Sequence, residues 1–194
     1  MSKATPCTDR PILTARRRAR SLLLAWTLSF GAAACVDAGP PPIVQPPAPE
    51  PGGPPVSFAY ETADGGILTA ASLRGRYTVI AFAATYDLTS QAQLKVLTQA
   101  QRDHKPRINV AAIVLEPAEN KPIIVAFAQG LGFRFPVAIA DEPTLAGHGP
   151  FEGLRAVPSV VILDRAGREV LRHIGPLDKK QLEDALVSVE QPAP

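Results

Sequence analysis

Apolar residues form strand-like patterns at six places in the chain, all of them beyond residue 55. They lie at 56–60, 77–84, 108–115, 136–140, 159–163 and 169–174. The runs at 77–84 and 108–115 are almost continuously apolar, which is typical of strands that are covered on both faces. The last two segments flank a polar turn at 164–168 and therefore predict a hairpin.

Apolar residues also recur at helical spacing in three segments, at 89–104, 122–132 and 178–189. Thr89 or Ser90 is a candidate cap for the first helix, and Asp178 is a candidate cap for the last. Helices that alternate with buried strands predict an α/β fold. Its central mixed sheet would carry helices on both faces and an antiparallel hairpin at one edge.

The segment before this domain is rich in proline, with nine prolines between residues 38 and 55. Proline removes backbone donors and favours extended structure, so we expect a semi-rigid spacer. At about 3.1 Å per residue, such a spacer would reach up to roughly 50 Å. A proline motif that binds a partner is the alternative interpretation. The sequence thus predicts a spacer over 35–55 and one domain over 56–190.

The first 34 residues have the layout of a secretory signal peptide. The basic stretch RRRAR at 16–20 precedes an apolar run at 21–30 and small residues at 31–34. The apolar run is too short to span a bilayer as a helix of the mature protein. We therefore predict a signal peptide over 1–34; a short membrane anchor or an unstructured leader is the alternative.

Cys35 directly follows the small residues, and the sequence AAAC at 32–35 resembles the lipobox of bacterial lipoproteins. The resemblance implies cleavage before Cys35 and its acylation, which would anchor the protein to a membrane. Ala32 stands where that family usually has Leu. Val36 stands where an inner-membrane retention signal would have Asp, which favours the outer membrane. The predicted location is the bacterial cell envelope, facing the periplasm; cleavage that leaves a free thiol is the alternative.

Charge argues against one class of partner. The whole chain has a formal net charge of +2, but six of its 20 basic residues precede Cys35. The remainder carries 14 basic and 17 acidic residues. A mildly acidic body without a basic stripe argues against nucleic acid as a partner. No metal-ligand spacing or phosphate-binding loop occurs in the sequence, so no metal or cofactor is predicted.

Three segments of the domain carry a family resemblance. The strand VIAFAATY at 79–86 runs into a turn and a helix, AVPSVVILD at 156–164 is followed by Gly167, and Gly175 precedes the last helix. Over about residues 56–189 this arrangement resembles the thioredoxin superfamily, most closely the membrane-anchored thiol–disulfide oxidoreductases of the TlpA type and the related redoxins. The resemblance implies a thioredoxin-like fold, a cis peptide bond before Pro158, and a groove for extended polypeptide beside it.

The turn lacks the thiols of that family. In the best register Tyr86 replaces a Trp, Asp87 replaces the first Cys of the Cys-x-x-Cys motif, and Ser90 replaces the second. In a peroxiredoxin-like register the position of the peroxidatic Cys falls on Ala92. Neither register contains a sulfur atom.

The two cysteines of the chain, Cys7 and Cys35, both precede the domain. No disulfide, zinc site or thiol nucleophile can therefore be built within it. Disulfide exchange and peroxide reduction both need a thiolate. Asp87, at a helix N-terminus, suits a cap better than a general base. We therefore predict no catalytic residue.

The sequence predicts a non-redox domain, tethered to the envelope, that binds an extended polypeptide or another protein partner. The residues predicted to line its groove are Tyr86, Asp87, Ser90, Val157 and Pro158. The alternative is an enzyme, either a thiol–disulfide oxidoreductase or peroxidase by family resemblance, or a hydrolase that uses Ser90 or Asp87 with His148 as the best-placed histidine. A structural domain without a groove function is the third interpretation.

Overall fold

The computed structural model describes residues 53–191. The signal peptide predicted at 1–34, the lipidation site predicted at Cys35 and most of the spacer predicted at 35–55 lie outside these residues and remain predictions. Within residues 53–191, no helix is long and apolar enough to cross a bilayer.

The described part contains seven strands, four α-helices and two short 3-10 helices. The strands are β1 (Ala59–Glu61), β2 (Ile67–Thr69), β3 (Tyr77–Ala83), β4 (Ile108–Val114), β5 (Val137–Ile139), β6 (Ser159–Leu163) and β7 (Glu169–Ile174). The helices are α1 (Leu88–His104), α2 (Lys121–Leu131), α3 (Glu142–Leu145) and α4 (Lys179–Glu190). The strand expected at 56–60 begins later, and β2 and α3 are additions to the sequence prediction.

Five of the strands form one mixed sheet in the order β5-β4-β3-β6-β7. β3 and β4 are parallel, as are β4 and β5, whereas β6 runs antiparallel to both β3 and β7. β1 and β2 pair as a separate antiparallel hairpin. The predicted α/β fold with a central mixed sheet and an antiparallel hairpin at one edge is therefore confirmed.

The alternating side chains of β3 separate two hydrophobic clusters, one on each face of the sheet. Val79, Ala81 and Ala83 belong to the first, and Ile80 and Phe82 belong to the second. All of them are at most 1% exposed. This explains the continuous apolar run, because a central strand covered on both faces has no polar side.

The helices lie on both faces, but unevenly. The first cluster receives the buried side chains of the three long helices, which are Leu94 and Leu97 of α1, Ile124 of α2, and Leu182 and Leu186 of α4. On the second face lie the β1–β2 hairpin, the four-residue helix α3 and the loop that follows it. There Phe151 packs edge-on against Phe82, and the Tyr60 hydroxyl lies 2.7 Å from Thr144 Oγ1.

The strand directions define two ends of the sheet. The carboxyl ends of β3 and β4 and the start of β6 form the upper end, because Phe82 pairs with Ser159. The starts of β3 and β4 and the β6–β7 turn at 164–168 form the lower end. The described chain begins at the lower end, where Val56 N donates to Gly167 O at 2.8 Å.

The two edges of the sheet differ. β5 is covered by the β1–β2 segment, since Ala63 N donates to Val137 O and Thr62 forms a bridge with Ala138. β7 pairs only with β6 within the described residues. Two charged side chains of β7, Glu169 and Arg172, form a bidentate ion pair at 2.5 and 2.8 Å, and each is only 9% exposed.

Candidate binding site

The turn between β3 and α1 is held by a helix cap. Asp87 is the N-cap residue of α1, and its carboxylate accepts from Thr89 N at 3.1 Å and from Ser90 N at 2.8 Å. The expectation that Thr89 or Ser90 caps this helix is therefore wrong. A carboxylate satisfies two free N–H groups of the first turn and interacts favourably with the helix dipole, so the helix begins at Leu88.

Ser90 is buried beneath this cap, and its hydroxyl is fully engaged. Ser90 Oγ donates to Asp87 Oδ2 at 2.6 Å and accepts from Ala84 N at 3.2 Å. A nucleophilic serine instead needs a base that takes its proton and a path for substrate. His148 lies exposed in the loop after α3, and the Ser90 proton is held by Asp87. Ser90 therefore supports the turn and does not line an open groove.

The same hydrogen bonds stabilise the charged form of Asp87. The Ser90 hydroxyl is the largest influence, and together with the amide donors of Ser90 and Thr89 it holds the pKa of Asp87 below its usual range. A carboxylate with a lowered pKa is a weak general base. Both positions that match the missing thiols thus serve the structure of the turn.

A buried carboxylate just after the neighbouring strand β4 supports the turn by a hydrogen bond to its backbone. Glu116 follows β4 and is 2% exposed. Its Oε1 accepts from Thr85 N at 2.5 Å, and its Oε2 accepts from Asn120 Nδ2 at 2.9 Å. Sequence analysis missed this residue. The available signal was an acidic residue directly after a buried apolar strand, at the sheet end where β3 also terminates.

The Pro158 loop lies at the same end of the sheet. The Val157–Pro158 peptide bond is cis, as the family resemblance implies. Pro158 is buried, and its carbonyl accepts from Gly175 N at 2.9 Å. Ser159 Oγ donates to Ala156 O at 2.6 Å and fixes the loop just before β6 begins. Because Ser159 pairs with Phe82 of β3, the loop and the turn lie at the ends of adjacent strands.

The predicted groove residues differ in accessibility. Tyr86 is 77% exposed, Asp87 and Val157 are half-buried, and Ser90 and Pro158 are buried. Leu88, which sequence analysis did not single out, is also 77% exposed. Two large side chains with apolar surface therefore project from the turn into solvent, a favourable arrangement for contact with another molecule.

Gln93, one turn further along α1, connects the helix to the segment after β7. Its Oε1 accepts from Leu177 N at 2.6 Å, while its Nε2 is buried and has no hydrogen-bond partner in the described part of the chain. Both N–H groups of this buried Nε2 lack a partner, which is costly, and the hydrogen bond from Leu177 N offsets part of that cost. Among residues 53–191, no group of three or more His, Cys, Asp or Glu side chains could hold a metal ion.

The sheet order, the strand–turn–helix after β3 and the cis proline before β6 together define a thioredoxin-like domain. Comparison with known proteins supports this class. Thioredoxin-like protein YneN of Bacillus subtilis (strain 168) is 23% identical over 130 residues, which cover 66% of this chain and 74% of that protein. No protein-family model matches the sequence.

Solved structures show the same fold. The pneumococcal exposed lipoprotein thioredoxin Etrx1 of Streptococcus pneumoniae strain TIGR4 has a TM-score of 0.59 at 19% identity, over 68% of this chain and 98% of that one. A thiol:disulfide interchange protein of the thioredoxin family from Chlorobium tepidum TLS has a TM-score of 0.60 at 22% identity, over 74% and 98%. The chain therefore has the thioredoxin-like fold.

Proposed function

We propose that this domain is a non-redox binding module of the bacterial cell envelope. It would hold an extended polypeptide or a protein partner in the groove between the turn at 86–90 and the Pro158 loop. The observation that carries the proposal is the Asp87–Ser90 cap. Where the family places its thiols, this chain has a buried hydroxyl and a carboxylate bonded to each other, while Tyr86 beside them remains exposed.

The chemistry of the turn favours binding over turnover. Disulfide exchange needs a thiolate that attacks sulfur, and residues 53–191 contain no cysteine. The hydrolase alternative is disfavoured because the Ser90 hydroxyl is buried and donates to a carboxylate of lowered pKa. A thioredoxin-like fold can keep a recognition surface without its redox chemistry, since function resides in the site and not in the fold.

The Pro158 loop offers a backbone edge for such recognition. The pairing of β6 with its two neighbours begins at Ser159, so Val157 lies outside the ladder. An extended peptide can add to a free backbone edge through main-chain hydrogen bonds, with side-chain contacts that give specificity. Tyr86 and Leu88 would supply those contacts, because aromatic and large apolar residues contribute strongly to binding surfaces.

The envelope location is part of the same proposal. The pneumococcal protein of similar fold is described as an exposed lipoprotein. The lipobox-like sequence that ends at Cys35 supports a comparable lipid anchor for this chain, with the domain facing the periplasm. Val36, which stands where an inner-membrane retention signal would have Asp, favours an anchor in the outer membrane. The partner would then be an envelope protein or an unfolded segment of one.

Site-specific photo-crosslinking in the expressing bacterium tests the groove. A photoreactive phenylalanine analogue replaces Tyr86 in the full chain, and the same analogue replaces Ile67 as the matched control. Ile67 is 71% exposed but lies on the β1–β2 hairpin. We expect discrete protein adducts from position 86 and none of the same size from position 67. Identical adducts from both positions, or none from position 86, would contradict the proposal.

A second measurement addresses the enzyme alternative. The purified full chain is assayed for insulin reduction with dithiothreitol and for peroxide consumption, beside a thioredoxin as the positive control. We expect rates equal to the reagent background. Turnover above background that survives replacement of Cys7 and Cys35 by Ser would sink the non-redox assignment.

A further inference from the structure

Six basic residues from three separate segments converge at the lower end of the sheet. They are Arg74, Arg76, Lys105, Arg107, Arg165 and Arg168. The segments at 74–76 and 165–168 are joined by a backbone hydrogen bond from Gly75 N to Arg165 O at 2.8 Å. The segment at 105–107 meets these two at a cavity of about 320 Å³, which is lined by Arg76, Arg107 and Arg165 among others. We call these six residues the basic end.

The positive charge of the basic end is only partly compensated. Residues 53–191 carry 14 basic and 15 acidic residues, so the excess is local. Arg107 pairs with Glu190 at 3.1 Å, and Asp164 accepts from backbone amides of its own turn. Arg74, Arg76 and Lys105 are exposed and form no ion pair within the described residues.

The described chain enters the domain at this end. Gly53 O accepts from Arg168 Nη1 at 2.9 Å, and Val56 N donates to Gly167 O at 2.8 Å. Tyr86 lies beyond the opposite end of β3, a strand of seven residues, which is about 23 Å long. The segment that leads from the predicted lipid site therefore joins the domain beside the exposed cations and far from the groove.

We propose that the basic end docks on an anionic phospholipid surface, with lipid phosphate groups as its ligands. The proposal rests on the envelope location proposed above, and it adds an orientation, since docking would direct the groove away from the bilayer. Guanidinium groups bind phosphate oxygens in bidentate fashion, which suits the exposed Arg74 and Arg76. Basic residues near an anionic membrane each add to binding, and ionic strength weakens the attraction.

Energy transfer to labelled lipid headgroups tests this orientation in the anchored protein. The full chain with Cys7→Ser is purified from bacterial membranes, labelled at Ser72→Cys beside the basic end or at Thr89→Cys on the turn, and reconstituted into vesicles. The unsubstituted background reports any labelling of Cys35. In vesicles with about 30 mol% phosphatidylglycerol we expect greater transfer from position 72 than from position 89. The difference should shrink markedly in phosphatidylcholine vesicles and in about 0.5 M salt, where only the tether holds the domain near the bilayer.

Two triple variants with equal charge change separate the basic end from general charge. The variant Arg74→Gln, Arg76→Gln, Lys105→Gln should lower the ratio of docked to undocked protein on the order of 100-fold. The control Lys95→Gln, Lys121→Gln, Lys180→Gln should leave it unchanged, because these lysines lie on the flank of α1 and near the starts of α2 and α4. Equal loss in both variants, or no loss in the first, would overturn the proposal.

Two further arms identify the ligand. If inorganic phosphate abolishes docking at an ionic strength matched with chloride, the surface takes free phosphate and the membrane assignment is wrong. If the chain binds a single-stranded oligonucleotide but does not dock on vesicles, the membrane assignment is also wrong. Tyr86→Ala should not alter docking, so failure here is distinguishable from failure of the crosslinking experiment at position 86.

Discussion

The pair formed by Asp87 and Ser90 can be measured with a double-mutant cycle. Asp87→Ala removes the cap of α1, which typically costs about 1 kcal/mol, and it leaves the buried Ser90 hydroxyl without its acceptor, which costs roughly 1 kcal/mol more. Ser90→Ala deprives the buried Ala84 N–H of its acceptor at 3.2 Å, again about 1–2 kcal/mol. The single variants should thus lose together about 3–4 kcal/mol of the free energy of unfolding.

The double variant should lose less than this sum. Without the hydroxyl, the loss of Asp87 costs only the cap, so we expect a coupling free energy of about 1 kcal/mol. Urea unfolding of the full chain, followed by far-UV circular dichroism, gives the four free energies. Asp87→Asn is the control, because Asn also caps helices well. Losses that add to within about 0.4 kcal/mol would refute the idea that the two side chains act as a unit.

Acid adds an independent check on the same pair. The pKa of Asp87 is lowered in the folded state, so its charge stabilises the protein above the ordinary Asp pKa. That contribution is lost as the pH falls through the lower folded value. The difference in unfolding free energy between the wild type and Asp87→Asn should therefore be constant near neutral pH and shrink in acid.

Three other variants test the turn, its support and the second face. Asp87→Cys with Ser90→Cys should create insulin-reducing activity, because the two side chains already meet in a hydrogen bond of 2.6 Å and two thiols there could approach closely enough for a disulfide. An inactive but folded double-cysteine protein would contradict the register. Glu116→Ala should cost about 1–3 kcal/mol in urea unfolding, since Thr85 N loses a buried acceptor, with the exposed Glu119→Ala as the neutral control. Burial raises the pKa of Tyr60 to about 12. The free energy of unfolding of the wild type should therefore fall as the pH rises from about 10 to 12, whereas that of Tyr60→Phe should not. Urea unfolding at alkaline pH measures both.

Much of the fold follows from local patterns that the sequence displays. The runs at 77–84 and 108–115 became the two central parallel strands, because a strand buried on both faces must be apolar at every position. Asp178 caps α4 through a capping box with Gln181, as its position suggested. β2 and α3 were missed because each is so short that its residues show no period of their own.

The candidate site was predictable only in part. Tyr86 and Asp87 could be located because the turn directly follows a recognisable strand. The contact between Glu116 and Thr85 depends on the register of β3 against β4, and no local pattern reports it. The basic end was missed for the same reason: its residues are up to about 90 positions apart, so the linear charge pattern shows no cluster, and strand pairing alone brings them together.

The open edge at β7 has a consequence for behaviour at high concentration. An edge strand with unpaired backbone groups is a template on which a second copy of the chain can add its own strand, and natural sheets often guard against this with charged side chains. Here Glu169 and Arg172 occupy that strand as a locked ion pair. These charges oppose pairing between copies of the chain. Apolar replacements at both positions should therefore promote self-association through the β7 edge.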